Sequence, residues 1–324
     1  MAALIGVAIG DALGMPSQNL DRGLILAAYG RIDRFVAPMP DHPISHGLQA
    51  AMVTDDTEQT LLLAARLIAD QGGFDEAAWV TDLLGWEAGV RARGLRDLLG
   101  PSSKRAVQAL LSGVPPDQTG RLGTTNGAAM RIAPVGIATP PDLARLVARV
   151  EAVSRVTHGT GEALAAASAV AMVISQGVAG ASFEASLPLA LAAARAGNQR
   201  GAAVGEPDIA GRITLALDVA AQGEAELAQR VGTSVQSGQS VAAAFGIVRL
   251  AKGDPWRAAL IAANIGDDTD TIGSIACAMA GACGGMAAFP KDKVEQVIAV
   301  NRLALGPVAE ALLALRGAPD GVLA

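Results

Sequence analysis

Apolar residues recur at three- and four-residue spacings along most of this 324-residue chain. The pattern is clearest where good helix formers dominate, in residues 58–70, 143–156, 161–175 and 213–222. No segment shows the convincing alternation of apolar and polar residues that is typical of a strand. Short segments that contain Gly or Pro, such as residues 138–142, separate the helical stretches. The sequence therefore predicts an all-α fold.

The composition indicates how such helices would pack. Hydrophobic residues make up 51% of the chain, but aromatic residues make up only 3%. A core would therefore consist mainly of Ala, Leu, Val and Ile side chains, which favours closely packed helices. The length allows one large domain or two small ones, and no segment is long or polar enough to be a clear linker. Repeats of fixed period, which would indicate a solenoid, are absent from the sequence.

Charge and hydropathy exclude several classes of function. The formal net charge is -6, and no run of Lys or Arg offers a surface for nucleic-acid phosphates. No stretch reaches the roughly 18 uninterrupted apolar residues of a membrane span, and the N-terminus lacks the basic region of a signal peptide. Cys277 and Cys283 lie in one apolar helical segment and are typical of reduced core residues. We expect a cytoplasmic protein with no nucleic-acid and no membrane partner.

The N-terminal segment GVAIGDALG carries small residues on one face. If it is helical, Gly6, Gly10 and Gly14 are stacked along that face and allow a second helix to approach closely. Asp11 lies in the middle of the same apolar segment and needs a partner if it is buried. The residues alone favour a capping or hydrogen-bonding role for Asp11 over a catalytic role.

Two acidic clusters each precede a predicted helix. They are TDDTEQT at residues 54–60 and GDDTDT at residues 266–271. Capping of the helix N-terminus would explain one carboxylate or hydroxyl in each cluster, and Glu58 in the first turn would suit the helix dipole. Both clusters, however, contain a surplus of oxygen ligands, and buried like charges need a proton or a cation. If the two clusters converge, their Asp and Thr oxygens would form a cage suited to Mg²⁺ or Mn²⁺, with no Cys or His pair to favour zinc.

The chain resembles the ADP-ribosylglycohydrolases, which include the dinitrogenase reductase activating glycohydrolases. The resemblance covers most of the chain in six segments: GVAIGDALGMPSQ (6–18), VTDDTEQTLLLA (53–64), LGPSSKRAVQALLSG (99–113), TNGAAMRIAPVG (125–136), VSRVTHGTGEALAAA (153–167) and GDDTDTIGSIACAMAGA (266–282). It implies a compact all-α orthogonal helical bundle that forms one domain over residues 1–324. It also implies a glycosidase that hydrolyses the N- or O-glycosidic bond at the anomeric carbon of an ADP-ribosyl group, with a binuclear Mg²⁺ or Mn²⁺ centre.

The resemblance places the metal ligands in the two acidic clusters, at Thr54, Asp55, Asp56, Asp268, Asp270 and Thr271. Two divalent cations would neutralise the carboxylates, hold the ribose diol and lower the pKa of an attacking water. Asp55 or Asp56 would then take the proton from that water. Because Asp268 and Asp270 are two residues apart and cannot share one helix face, we expect a loop that turns into a helix near Thr271.

Four further residues resemble positions close to the diphosphate and riboses of the substrate: Asn126, Gly127, His158 and Gly159. On the residues alone, the first two indicate an ordinary turn and His158 an ordinary histidine at a helix end. The resemblance therefore carries their substrate-binding role. The loop histidines His42 and His46 receive no ligand role.

Two positions depart from the family pattern. Many members carry a Glu where this chain has Gln18, close to the metals or the scissile bond. An amide cannot act as a general base, so Gln18 would position water or substrate within the catalytic group. Some members also have an Asp near the LGPSS element, and here Asp97 lies one position out of register.

Three functions remain open on the sequence. The first is hydrolysis of an ADP-ribosyl linkage in a small molecule or an ADP-ribosylated protein, with a close variant that cleaves nucleosides or other small N-ribosides. The second is a non-catalytic sensor of ADP-ribose or a nucleotide, which the Gln18 substitution allows. The third is a helical structural protein whose acidic clusters only cap helices and bind no metal.

Overall fold

A computed structural model of the chain describes residues 1–94 and 99–317. These residues fold into α-helices and contain no β-strand, which confirms the prediction of an all-α fold. The helices in chain order are α1 (Ala2–Gly14), α2 (Arg22–Tyr29), α3 (Asp55–Ala69), α4 (Glu76–Ala92), α5 (Pro101–Leu111), α6 (Pro116–Thr119), α7 (Gly127–Met130), α8 (Ala133–Ala138), α9 (Leu143–His158), α10 (Gly161–Val178), α11 (Phe183–Asn198), α12 (Ile209–Val219), α13 (Glu224–Val231), α14 (Ser237–Leu250), α15 (Pro255–Ala262), α16 (Thr269–Gly284), α17 (Lys291–Asn301) and α18 (Leu305–Leu315).

The segments with the clearest helical periodicity all form helices. They correspond to α3, α9, α10 and α12, and α12 is followed by a short 3₁₀ turn at Ala220–Gln222. Local capping sets several of the starts, because a polar side chain accepts a hydrogen bond from a free amide of the first turn. Asp142 accepts from the backbone N–H of Arg145 at the start of α9, and Thr160 accepts from that of Ala163 at the start of α10.

Helix α10 lies at the centre of the core. It packs against α11, α16, α8 and α9, and nearly all of its residues are buried. Its length and apolar composition would suffice for a membrane span, but 89% of it is buried inside the protein. Helices α17 and α18 pass the same test when taken together, but they are bent by 98° at the break between them. A buried, Ala-rich central helix is what the low aromatic content led us to expect of the core.

The backbones of α1 and α16 are in direct contact through the glycine face of α1. A β-carbon added at Gly6 would lie 2.1 Å from the carbonyl oxygen of Cys277, and one added at Gly10 would lie 2.1 Å from that of Gly273. A β-carbon at Gly14 would lie 2.4 Å from the carbonyl oxygen of Thr269. These distances confirm that the glycine spacing serves the close approach of a second helix.

Both cysteines are free, as the sequence predicts. Cys277 is buried in α16, and burial raises the pKa of its thiol. Burial also raises the pKa of Cys283, to about 11, although this residue is partly exposed. Neither thiol has the depressed pKa of a reactive cysteine.

One hydrophobic cluster extends from Ala3 in α1 to Leu312 in α18. The prediction of one domain over residues 1–324 stays a prediction, because residues 95–98 and 318–324 are outside the described part of the chain. Asp97, the acidic residue that is out of register with the family, also lies outside the described residues.

We predict that Gly10→Ala destabilises the protein by about 3 kcal/mol or more, because the new methyl group would overlap the α16 backbone, which cannot shift alone. Gly89→Ala is a matched control in α4, since a β-carbon there meets nothing within 4 Å. Because Ala is the better helix former, the control should gain up to about 1 kcal/mol. Denaturant unfolding of both variants measures the difference. Equal stabilities would mean that α1 and α16 are not in backbone contact.

Candidate active site

The start of α3 is capped by a side chain from another helix. Asp11, which is buried in α1, accepts hydrogen bonds from the backbone N–H groups of Thr54 (3.0 Å) and Thr57 (3.1 Å). It also accepts from the hydroxyl groups of the same two threonines, at 2.7 and 2.5 Å. Thr54 occupies the N-cap position of α3, but its own side chain forms no capping bond. Asp55 and Asp56 are therefore not needed to cap their helix.

The sequence suggests Glu58 as a partner of the helix dipole, but its side chain binds residues in α4 and at its C-terminal end. Its carboxylate accepts from both terminal nitrogens of Arg93 at 2.7 Å and from the indole N–H of Trp86 at 2.8 Å. These contacts tie α3 to α4. They pair the charge of Glu58 with Arg93, although burial and repulsion, to which Glu58 still adds, raise the pKa of Asp55.

The second cluster begins its helix earlier than expected. Helix α16 starts at Thr269 instead of near Thr271, so Asp270 and Thr271 lie in its first turn and Asp268 is its N-cap residue. Asp267 adopts a left-handed conformation with φ of 58° and accepts a hydrogen bond from the Thr233 hydroxyl at 2.6 Å. This backbone turn separates Asp267 from Asp268 and Asp270, which both line the cavity described below.

The two acidic clusters meet, as the sequence predicts. The hydroxyl group of Thr271 donates to Oδ2 of Asp56 at 3.2 Å, across the contact between the starts of α16 and α3. Beside this contact lies a cavity of about 430 Å³. Its lining includes Gln18, Asn19, Ile44, Asp55, Leu99, Gly100, Pro101, Ser103, Lys104, Thr125, Asn126, Gly127, Met130, His158, Val235, Asp268, Asp270 and Thr271.

Most of the predicted site residues line this cavity. Thr54, Asp56 and Gly159 do not. Thr54 donates to Asp11, and the buried Asp56 accepts from Thr271, which does line the cavity. The amide of Gly159 donates to the carbonyl group of Gly120, and its own carbonyl group accepts from the amide of Ala202. The backbone of Gly159 therefore holds the link between α9 and α10, next to the cavity.

Burial raises the pKa of five carboxylates here, and repulsion within the group adds to it for three of them. Burial is the largest cause for all of them, and it raises the pKa of Asp11 and of Asp268 to about 6. The pKa values of Asp55, Asp56 and Asp270 lie well above the usual range, because repulsion between the neighbouring carboxylates adds to burial. Negative charge at this site is thus unfavourable unless a positive charge or a proton is bound with it.

The donor set suits a hard cation. Oδ1 of Asp56 is buried and has no hydrogen-bond partner, which is costly for a carboxylate oxygen that binds nothing. The surrounding side-chain groups are carboxylates and hydroxyls, the ligands that Mg²⁺ and Mn²⁺ prefer. Within residues 1–94 and 99–317, no group of three or more His, Cys, Asp or Glu side chains is arranged as a metal site. The metal ligands therefore stay a prediction.

Asn126 and His158 also line the cavity. The side-chain amide of Asn126 donates to Oδ2 of Asp268 and to the hydroxyl group of Ser240, so it holds one of the predicted ligands. His158 is fully buried between Thr125 and Thr157, and burial places its pKa well below the ordinary value. A β-carbon on Gly127 would lie 2.7 Å from the His158 ring, so only glycine leaves room for the histidine there.

Arg131 does not line the cavity but is connected through Gln59 and Thr157 to residues that do, a role that the sequence does not predict. It is buried against the ring of Trp79, and burial lowers its pKa to about 10. One terminal nitrogen donates to Oε1 of Gln59 at 2.8 Å, and the Gln59 amide donates to Oδ2 of Asp55 at 3.2 Å. The other terminal nitrogen donates to the hydroxyl group of Thr157, which contacts His158. A charged residue in the apolar TNGAAMRIAPVG segment was the available signal.

The chain has relatives over nearly its whole length. A family model described as ADP-ribosylglycohydrolase matches residues 1–321. A protein of Escherichia coli strain K12, named uncharacterized protein YegU, is 34% identical over 99% of this chain and 98% of that protein. The ADP-ribosyl-(dinitrogen reductase) glycohydrolase of Rhodospirillum rubrum is 31% identical over 49% of this chain and 50% of its own length. A solved structure described as an ADP-ribosylglycohydrolase-related protein complex is similar with a TM-score of 0.67 at 26% identity, over 97% of this chain and 96% of that one.

We predict that Asp11→Ala destabilises the protein by about 2–4 kcal/mol, because it leaves buried amide and hydroxyl donors without an acceptor. Relief of repulsion with the neighbouring carboxylates offsets part of this loss. Asp142→Ala removes an exposed cap from α9 and should cost only about 1 kcal/mol. Urea unfolding of the two variants tests the contrast. A loss at Asp11 no larger than that at Asp142 would refute the role of Asp11 as the cap of α3.

Proposed function

The chain belongs to the ADP-ribosylglycohydrolase family, and we propose that it uses two divalent cations, Mg²⁺ or Mn²⁺, to cleave a ribosyl linkage. Family membership makes it a hydrolase of the glycosidase type. The bond cleaved would be the N- or O-glycosidic bond at the anomeric carbon of an ADP-ribosyl group or a related small riboside. The observation that supports this reaction is the convergence of the starts of α3 and α16 beside one cavity.

The cations would be held by the oxygens of the two helix starts, from Thr54, Asp55, Asp56, Asp268, Asp270 and Thr271. When bound there, they would supply the charge that orients the ribose hydroxyl groups and lowers the pKa of the attacking water. Asp56 suits a ligand role because its buried Oδ1 has no partner in the protein. Thr54 donates its hydroxyl proton to Asp11, which leaves lone pairs on the oxygen for another contact.

Asp55 is the carboxylate best placed to take a proton from the attacking water. It lines the cavity, whereas Asp56 does not. Gln59 donates to Oδ2 of Asp55 and is itself held by Arg131, so this contact orients the carboxylate. Gln59 binds Oδ2, so Oδ1 is the oxygen that would accept the proton.

The size and lining of the cavity suit a small polar ligand. A volume of about 430 Å³ lies in the range of small-molecule sites. Asn126, Gly127 and His158 would contact the riboses or the diphosphate, with the imidazole ring of His158 in its neutral form. The ligand would be a small ADP-ribosyl compound, a nucleoside-like riboside or the ADP-ribosyl group of a modified protein.

A second function, binding of ADP-ribose or a nucleotide without hydrolysis, is supported by one residue. Gln18 lines the cavity where many family members carry a Glu, and an amide cannot accept a proton as a base does. The turnover panel that separates the two functions comprises ADP-ribosyl-arginine, ADP-ribosyl-serine and a set of nucleosides, each with and without Mg²⁺. Ligand binding without turnover across that panel would favour the sensor.

We expect Asp55→Ala and Asp270→Ala to lose bound metal and at least about a hundredfold in activity while they remain folded. Asp267→Asn is the matched control from the same acidic motif. Its carboxylate binds Thr233, and Asn tolerates the left-handed backbone that Asp267 adopts. Metal content after purification tests the loss of metal, and initial rates on one active substrate test the loss of activity, in both variants and in the control. Undiminished wild-type turnover after exhaustive EDTA treatment would contradict them.

Gln18→Ala should lower kcat/KM by only about tenfold, because the amide positions water or substrate and does not transfer a proton. Rates on the same substrate as for the Asp55 variant allow a direct comparison. Gln18 would have to be reassigned as an essential catalytic group if its loss were as damaging as that of Asp55.

A further inference from the structure

Gln18 is held by a loop that the proposed reaction does not use. Its side-chain Nε2 donates a hydrogen bond of 2.9 Å to the hydroxyl oxygen of Ser45. The Ser45 hydroxyl in turn donates to the backbone carbonyl group of Met15 at 2.8 Å. Ser45 is fully buried and Gln18 is 7% exposed, so water cannot readily replace either contact.

The single proton of the Ser45 hydroxyl determines the orientation of the amide. Because that proton is given to Met15, the Ser45 oxygen can only accept a hydrogen bond from residue 18. The NH₂ group of Gln18 must therefore face Ser45. Its Oε1 receives no hydrogen bond from residues 1–94 and 99–317, and Gln18 lines the cavity beside Asp55, Asp268 and Asp270.

His42 fixes Ser45 in turn. Nδ1 of this buried histidine accepts hydrogen bonds from the backbone N–H groups of Ile44 at 3.1 Å and Ser45 at 2.8 Å. An imidazole nitrogen that accepts must be unprotonated, so the ring is neutral with its proton on Nε2. Tyr29 anchors the same loop, because its hydroxyl group donates to the Pro16 carbonyl group and accepts from the amide of Met39. The histidine without a ligand role thus shapes the loop next to the cavity.

We propose that Ser45, held by His42, locks the Gln18 amide with its oxygen towards the cavity, so that the site selects ribosides that present an O–H or N–H donor there. The selection of substrates rests on the proposed hydrolysis. The fixed orientation of the Gln18 amide does not depend on it. A carboxylate at residue 18 would meet the Ser45 oxygen without a proton between them unless Ser45 released Met15. The loop and Gln18 therefore form one unit. It presents a neutral amide oxygen to the cavity where many family members carry the charged carboxylate of a Glu.

A double-mutant cycle tests whether Ser45 acts through Gln18. Ser45→Ala should lower kcat/KM by about tenfold in the wild-type background and by less than about twofold in the Gln18→Ala background. Ser186→Ala is a matched control, since it also removes a buried hydroxyl that donates to a carbonyl group, far from the cavity, and should leave activity unchanged. An equal loss in both backgrounds would show that Ser45 only supports the fold, and would overturn the proposal.

Substrate analogues test the selection. Replacing one ribose hydroxyl at a time by hydrogen should identify an analogue that loses about tenfold with the wild type and almost nothing with Gln18→Ala. An N–H donor is tested in the same way, with a leaving group whose N–H is methylated. If no analogue loses more activity with the wild type than with Gln18→Ala, the proposed selection of substrates by Gln18 is refuted.

A second pair of variants covers the case in which Ser45→Ala does not fold. His42→Asn keeps an acceptor that can reach the amides two and three residues later, whereas His42→Leu removes it. We expect His42→Leu to reproduce the Ser45→Ala defect and His42→Asn to restore at least about half of the activity. Equal activities of the two variants would exclude His42 from the unit.

Solvent exchange of the Gln18 side-chain amide decides the locking claim without any activity measurement. Its NMR signal is assigned by its disappearance in Gln18→Ala. The amide should exchange at least about tenfold more slowly in the wild type than in Ser45→Ala or His42→Leu. Equally fast exchange in the wild type would overturn the proposal. If instead the wild type hydrolyses no substrate but its amide is protected, the proposed function fails while the locked amide stands.

Discussion

The backbone contact between α1 and α16 at Gly10 and Gly273 determines where the acidic residues of the site can lie. It brings the N-terminal turn of α16, with Asp268 and Asp270, next to the end of α1. One residue beyond Gly10, Asp11 accepts four side-chain and backbone donors from the start of α3. Helix α1 therefore positions both helix starts, by steric fit on one face and by hydrogen bonds on another.

This arrangement brings carboxylates together that would repel one another in isolation. Five of them, at Asp11, Asp55, Asp56, Asp268 and Asp270, are buried and have raised pKa values. Asp11 is stabilised by its threonine donors, and Asp268 by the amide of Asn126. Asp56 keeps an unpaired buried oxygen, which a fold under selection for stability alone would not retain. The excess of negative charge over hydrogen-bond donors is what supports a cation-binding function.

Much of the fold and the outline of the site could be predicted from the sequence. Helical periodicity, scarce aromatics and the spacing of Gly6, Gly10 and Gly14 are local patterns, and each has a direct structural consequence. The surplus of oxygen ligands at Thr54–Asp56 and Asp268–Thr271 is local too, and the hypothesis that the two clusters converge rests on their shared need for a cation. The prediction puts the start of α16 about two residues too late. The chain already turns at Asp267, whose left-handed conformation the sequence does not reveal, and the helix begins at Thr269.

The supporting contacts could not be predicted, because they join residues that are distant in the chain and no pattern in the sequence identifies their partners. Asp11 and Thr54 are 43 residues apart, and Arg131 and Gln59 are 72 apart. Ser45 lies in a loop without periodicity, and nothing in its neighbourhood indicates that it holds Gln18. Such contacts depend on how helices are placed relative to one another, which periodicity leaves open.

Diffraction from crystals soaked in Mn²⁺, collected at the manganese absorption edge, tests the central claim most directly. Anomalous difference peaks should lie between the start of α3, at Asp55 and Asp56, and the start of α16, at Asp268, Asp270 and Thr271. Crystals of the Asp270→Ala variant should show these peaks weakened or absent. If active protein shows no anomalous peak between α3 and α16 at saturating Mn²⁺, the claim that these helix starts form a metal-dependent hydrolytic centre is wrong.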